Sequence, residues 1–143
     1  MLVVIGAALG IGEALNASGA AGGLAGALLS VAGDHPWLVL AAIYLSTSLL
    51  TEIVTNNAAV AIAFPIALAA ANRLDVSFMP FVFTIMMAGS ASFATPLGYQ
   101  TNLMVYGPGG YRFSDFLRMG VFMNLLVGVP TVLLSPLIWP FRP

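Results

Sequence analysis

The chain has 143 residues, 60% of them hydrophobic and 6% charged, with a formal net charge of −1 and no cysteine. A soluble domain of this size carries about a quarter of its residues as charged side chains, so the composition excludes one and identifies an integral membrane protein. The charge balance argues against a nucleic-acid partner, and without cysteine there is no disulfide or thiolate site.

Lysine is absent. The ionisable residues are Glu13, Asp34, Glu52, Asp75, Asp115, His35 and four arginines. Met1–Gly12 is apolar, and Leu15-Asn16-Ala17 has the small residues of a cleavage site. No Lys or Arg precedes the apolar run, which argues against a signal peptide. Met1–Gly33 reads as one membrane helix followed by a second, Gly-rich helix, oblique or interfacial, whose small residues allow close helix approach. Gly33-Asp34-His35-Pro36 reads as a turn, with Pro36 placed to start the next helix.

Trp37–Val54 is expected to be helical and long enough to cover much of a bilayer at about 1.5 Å per residue. A polar stretch, Thr51-Glu52-Ile53-Val54-Thr55-Asn56-Asn57, interrupts the apolar sequence, and the chain is expected to turn at Thr55–Asn57. Ala58–Asn72 follows as a helix kinked at Pro65, then a polar loop, Asn72-Arg73-Leu74-Asp75. Phe78–Phe93 is the next expected helix. A second polar interruption, Thr95-Pro96-Leu97-Gly98-Tyr99-Gln100-Thr101-Asn102, breaks it, and a short helical piece, Asn102–Tyr106, follows. Gly107-Pro108-Gly109-Gly110 is a turn. Ser114 and Asp115 suit the N-cap and first turn of a last helix, Phe116–Ile138, kinked at Pro130. Arg112 and Arg118 favour a cytoplasmic loop there, with Arg73 and Arg142 on the other side.

Hydrocarbon cannot hydrogen-bond a broken backbone, so such breaks survive at membrane depth only where protein buries them or a wet cavity receives them. Each break offers a helix C-terminus with unpaired carbonyls and a helix N-terminus with unpaired N–H groups. Carbonyl oxygens suit a small hard cation such as Na⁺, and helix N-termini suit an anion. Two such breaks are what the ion and substrate site of a secondary transporter requires.

Structural alternatives stand beside this reading. Thr51 and Thr55 can bond carbonyls one turn back. Asn56 and Asn57 can cap a loop at the membrane surface, because length does not separate a re-entrant hairpin from a spanning one. Gly98 can be a packing glycine. Glu52, ionisable at depth, is a functional candidate by default, but holding the hairpin tip is the favoured role. An intramembrane aspartyl protease is excluded, since its two aspartates at depth have no counterpart here.

Together the two segments resemble the divalent anion/sodium symporter family, within the citrate-transporter-like ion transporters. Thr55-Asn56-Asn57 stands where that family has Ser-Asn-Thr at a hairpin tip. Pro96-Leu97-Gly98-Tyr99-Gln100-Thr101-Asn102 matches its Pro-x-(Gly/Ala)-x-x-x-Asn break. The run from Ser90 to Arg118 is most similar to a sulfate-transporter-like branch. The resemblance implies an all-α integral membrane fold: one inverted-repeat half of a carrier, with a re-entrant helical hairpin and a broken transmembrane helix. It implies a Na⁺ site at Thr51, Val54, Asn56 and Gly98, and an anion site at Asn56, Asn57, Tyr99 and Gln100. Asn57 in place of Thr, and Tyr99-Gln100 in place of Thr-Pro, favour sulfate or a similar small oxyanion over a dicarboxylate.

The resemblance further implies that the chain is the C-terminal repeat of a longer carrier. Its partners would be the N-terminal repeat, a second copy in a homodimer, and the lipid of a plasma or inner membrane that it crosses several times. A sodium-independent efflux carrier of the same superfamily and a non-transporting membrane scaffold are the competing expectations. A scaffold has no need of two polar breaks.

Overall fold

The computed structural model of the chain describes residues 2–33 and 35–142; at positions 2, 4, 5, 8 and 9 only the backbone is described. Met1, Pro143 and Asp34, the last of these assigned above to the turn before Pro36, lie outside the described residues. The described residues form seven helices and no strand.

The first is α1 (Leu2–Ala17), followed across Ser18 and Gly19 by α2 (Ala20–Ala32). The Gly10–Ala17 part of α1 meets α2 at 74°. The bend sits where the small polar residues interrupt the apolar run, and Ser18 Oγ donates to the Leu15 carbonyl at 3.2 Å.

A helical hairpin comes next. Its first arm, α3 (Pro36–Thr51), opens with the expected proline in its first turn, where the missing N–H costs nothing. Its second arm, α4 (Asn56–Leu74), runs uninterrupted through Pro65. The connection is therefore Glu52–Thr55, one residue longer and earlier than the expected turn at Thr55–Asn57. Thr55 is the N-cap, its Oγ1 accepting from the Ala58 N–H at 3.4 Å, so Asn56 and Asn57 are the first two residues of α4. The expected loop at Asn72–Asp75 is mostly the last turn of α4. Arg73 lies favourably near the negative end of the helix dipole. Asp75, at φ 51°, closes the helix with its N–H to the Ala71 carbonyl.

The next helix, α5 (Met79–Ser90), stops three residues before its expected end at Phe93. After an irregular stretch, α6 (Gln100–Tyr106) begins two residues earlier than expected. The last helix, α7 (Phe113–Ile138), also starts earlier: Arg112, not Ser114, is its N-cap. The Asp115 carboxylate in its first turn accepts from the Arg112 N–H at 2.8 Å, as a residue at the third helical position can.

The core lies where α3, α4 and α5 pack together. It comprises Val39, Leu40 and Ile43 of α3, Ala67, Ala70 and Ala71 of α4, and Phe81 and Ile85 of α5, with Ala21 and Ala25 of α2 against it. Alanine on α2 and α4 lets helix axes approach closely, which is how packing holds helices together in lipid. By length and composition α4 and α7 can each cross a membrane, and the bent α1–α2 pair makes a third candidate. The apolar helices α3 and α5 are shorter.

Candidate transport site

The hairpin tip and the irregular stretch between α5 and α6 meet in a buried polar cluster. Thr47, Ser48, Thr51, Glu52 and Ser92 are all buried. Glu52 organises it. Its carboxylate accepts from the Ala94 N–H at 2.8 Å and the Thr95 N–H at 2.7 Å. Asn124 of α7 adds a third bond at 3.2 Å, Nδ2 donating to Oε1. In return Thr95 Oγ1 donates to the Glu52 carbonyl at 2.8 Å and accepts from the Gly98 N–H at 3.2 Å. Bonds to an ionised acceptor are roughly twice as strong as neutral ones. Glu52 thus holds the tip, the role favoured for it from the sequence.

Hydroxyls and amides extend the seam. Ser92 Oγ donates to the Thr51 carbonyl at 3.0 Å, and Ser48 Oγ to the Ala91 carbonyl at 3.2 Å. Asn102, from α6, donates Nδ2 to the Ser92 carbonyl at 3.2 Å and the Thr95 carbonyl at 3.1 Å. Carbonyls left without helical partners by the end of α5 are met in this way, as buried backbone demands.

Gly98 fits directly against the tip. A Cβ built there would lie 2.6 Å from the Thr51 carbonyl oxygen and 3.1 Å from Glu52 Cα, and would also collide with Ser92 Oγ. Only a residue without a Cβ allows two backbones to approach so closely. Gly98 is therefore a packing glycine, and what it packs against is the hairpin tip.

The expected site residues fall into groups. Thr51 and Gly98 are in contact at the seam. The Thr51 hydroxyl donates one turn back, to the Ser48 carbonyl at 2.9 Å, as the structural alternative held. Val54, half-buried, lies in the connection, its N–H donating to the Leu50 carbonyl at 2.9 Å. Asn56 and Asn57 open α4 and line a cavity of about 660 Å³ between α1, α4 and α5. The Asn56 Oδ1 is buried with no hydrogen-bond partner. Tyr99 and Gln100, at the start of α6, are exposed and do not line that cavity. The four residues expected to hold an anion are thus not gathered into one cavity.

The site also contains residues that sequence reasoning left unassigned: Ser48, Ser92, Asn102 and Asn124. Asn124 carried a signal, being an amide in the middle of a long apolar helix, where intramembrane polar groups are retained for a reason. The pairing of Ser92 with Thr51 had none, because only the fold brings them together.

Residues 1–142 match the citrate transporter family. The chain belongs to that family. Similar proteins include an uncharacterized transporter of Synechocystis, 44% identical over 135 residues, covering 93% of this chain and 22% of the relative. A probable sodium/sulfate cotransporter of Chlamydomonas reinhardtii is 42% identical over 122 residues, covering 82% of this chain and 13% of the relative. Solute carrier family 13 member 1 of Mus musculus is 27% identical over 138 residues, covering 96% and 23%. The chain thus spans less than a quarter of the length of these relatives. The family and these relatives are transporters, not enzymes, and they agree with the resemblance to divalent anion/sodium symporters. In this citrate-transporter-family chain, the two polar breaks that marked the sequence are packed against each other.

Proposed function

We propose that the chain is the C-terminal repeat of a longer secondary carrier that moves a small oxyanion of the sulfate type across a membrane, coupled to Na⁺. The observation that carries this reading is the packing of Gly98 onto the Thr51 carbonyl, which joins the hairpin tip to the broken helix. A hairpin that merely crossed the membrane would not place its tip on a break in another helix.

The hairpin is re-entrant in this reading. Its tip is bonded through Glu52 to Asn124, near the middle of α7. At about 1.5 Å per residue α7 is about 39 Å long, more than the roughly 30 Å hydrocarbon core of a bilayer. If α7 spans, the tip sits near mid-depth, and α5 ends at the same level. The position matches that of substrate sites in carriers built from broken helices and inverted repeats.

The ions are then assigned by dipoles. The C-terminal carbonyls of α3, with those of Val54 and Gly98, present partial negative charge to Na⁺, which the Asn56 Oδ1 completes. The first N–H groups of α4, with the Asn56 and Asn57 amides, face the anion. Tyr99 and Gln100 reach the anion from α6 once the N-terminal repeat closes the site. That repeat, and a second copy forming the homodimer, complete a multi-pass carrier of the plasma or inner membrane. The names of the sodium/sulfate cotransporter relatives support the choice of ions.

Uptake of labelled sulfate by cells or proteoliposomes containing the complete carrier tests the reading. Saturable uptake that collapses when choline replaces Na⁺, and that unlabelled sulfate inhibits more strongly than citrate or succinate, is the expected result. Sulfate uptake indifferent to Na⁺ would refute the coupling, and stronger inhibition by dicarboxylates would refute the substrate class.

A further inference from the structure

Gly120 of α7 is buried, and what it faces is the backbone of the break. A Cβ built there would collide with the Phe93 carbonyl and with Ala94 Cα. Both are main-chain atoms, so no side-chain rotation could make room. Glycine at this point lets α7 lie directly on Phe93–Ala94, an approach that any Cβ prevents. One turn further along α7, Asn124 donates Nδ2 to the Glu52 carboxylate at 3.2 Å. Residues four apart lie on one face of a helix, so a single face of α7 meets both the break and the hairpin tip.

These contacts lead to the carbonyls assigned to Na⁺. The segment under Gly120 continues into the Ala94 and Thr95 N–H groups, which donate to Glu52 at 2.8 and 2.7 Å. Glu52 follows Thr51 in the tip. On the other side of Phe93, Ser92 Oγ donates to the Thr51 carbonyl at 3.0 Å. Thr95 Oγ1 accepts from the Gly98 N–H at 3.2 Å. A displacement of Phe93–Ala94 therefore moves the anchors of both Thr51 and Gly98. Ligands bind an ion well only when the groups behind them hold their orientation. The N–H groups assigned to the anion open α4 after the Thr55 cap and take no part in these bonds.

We propose that Gly120 is a positioning residue for the Na⁺ site. By seating α7 on Phe93–Ala94 it fixes the N–H groups that hold Glu52, and through them the Thr51 and Gly98 carbonyls. Asn124 secures the same Glu52 from the same helix face. The proposal rests on the transport reading above and adds a helix to which neither break belongs. Gly120 acts through geometry alone, since it has no side chain to reach an ion. Cation affinity, more than anion affinity, then depends on how closely α7 lies on the break.

The test uses the complete carrier. Labelled-sulfate uptake into proteoliposomes is measured over a range of Na⁺, and labelled Na⁺ binding is measured on the purified carrier without any anion. Gly120→Ala should raise the Na⁺ concentration for half-maximal uptake by about five-fold, the equivalent of about 1 kcal/mol, and weaken Na⁺ binding to match. The sulfate KM at saturating Na⁺ should change less than about two-fold. Phe141→Leu is the structural control. The Phe141 ring packs against Trp37 and Phe81 at centroid distances of 6.1 and 5.9 Å, beyond the opposite end of α7. Its loss should lower thermal stability and leave the Na⁺ dependence as in wild type. If Gly120→Ala does not fold, Asn124→Ala carries the same expectation, because it removes the other contact of that face. An unshifted Na⁺ dependence in the variant that folds overturns the proposal. So does an equal shift in Phe141→Leu, which makes the effect one of stability, and so does a sulfate KM that rises as much as the Na⁺ requirement. If Gly98→Ala weakens Na⁺ dependence while Gly120→Ala and Asn124→Ala do not, this assignment fails and the transport reading stands. If the wild-type carrier shows no Na⁺-dependent uptake, the transport reading fails and this assignment with it.

Discussion

Glu52 and Thr95 bond each other twice: the Thr95 N–H donates to the Glu52 carboxylate at 2.7 Å, and the Thr95 hydroxyl donates to the Glu52 carbonyl at 2.8 Å. One residue belongs to the hairpin tip and the other to the break after α5. The pair is a two-sided clasp, so neither segment can move without the other unless both bonds open.

The clasp predicts the cost of neutralising Glu52. Glutamine keeps the shape but presents one oxygen where the carboxylate presents two. One of the Ala94 and Thr95 N–H groups is then left buried and facing a donor. Leaving a buried donor unsatisfied costs about 1–3 kcal/mol. Glu52→Gln should lower the thermal stability of the detergent-purified carrier and reduce sulfate uptake. A melting temperature equal to wild type would show that the clasp contributes nothing. Thr95→Val, combined with Glu52→Gln in a double-mutant cycle, should give a coupling energy of about 1 kcal/mol or more.

Gly98→Ala tests the closeness of tip and break. A single methyl group would lie 2.6 Å from the Thr51 carbonyl oxygen, a backbone atom that cannot swing aside. Alanine, which the family's break motif also admits, should therefore shift the break and reduce uptake, and the larger Gly98→Val should abolish it, with the protein still inserted, because insertion depends on apolar segments that neither change touches. Gly107→Ala is the control. Beyond its chain neighbours a Cβ there meets nothing within 4 Å, and its φ of −72° lies outside the left-handed region that requires glycine. Uptake in Gly98→Ala equal to that in Gly107→Ala would show that the contact does not matter for transport.

Asn102 predicts a different kind of failure. Its side-chain amide bridges the Ser92 and Thr95 carbonyls across the break. Asn102→Ala removes both bonds and should destabilise the irregular stretch by about 1–2 kcal/mol. Asn102→Asp should be worse, since a carboxylate facing two carbonyls repels where the amide donates. Hydrogen exchange of residues in the break of the complete carrier reads the effect directly. Protection equal to wild type in both variants would remove Asn102 from the structure of the break.

The helices were legible in the sequence because Gly, Pro and polar clusters punctuate long apolar runs, and those signals are local. The contact between the two breaks was legible only as a consequence of hydrocarbon's inability to satisfy backbone groups. Such breaks must meet protein or water, but hydropathy does not specify which residues touch. The Ser92–Thr51 and Asn102–Thr95 bonds therefore had no signature of their own. Boundaries slipped where side-chain capping overrode hydropathy. Asn56 and Asn57 read as part of a polar turn, yet Thr55 caps a helix that includes both. Arg73 and Leu74 read as a loop, yet an αL residue one position later lets the helix continue through them.

Asn56 is where the cation and anion assignments overlap. Its amide oxygen can ligate a cation while its NH₂ group donates to an oxyanion. Asn56→Ala should weaken both Na⁺ dependence and sulfate uptake, each by about ten-fold or more for the loss of one direct contact. Asn56→Asp should harm the anion more than the cation, because it sets negative charge beside the anion. Normal uptake kinetics in both variants would remove Asn56 from the site.

The central claim is that one pair of breaks binds Na⁺ and the anion side by side. The most direct measurement is the affinity of the purified complete carrier for sulfate as Na⁺ is varied, together with its affinity for Na⁺ as sulfate is varied. Ions sharing a site must alter each other's binding by the same factor, because coupling free energy is reciprocal. Saturating Na⁺ should tighten sulfate binding, saturating sulfate should tighten Na⁺ binding by an equal factor, and Asn56→Ala should reduce that factor towards one. Sulfate affinity independent of Na⁺ in the wild-type carrier would contradict it.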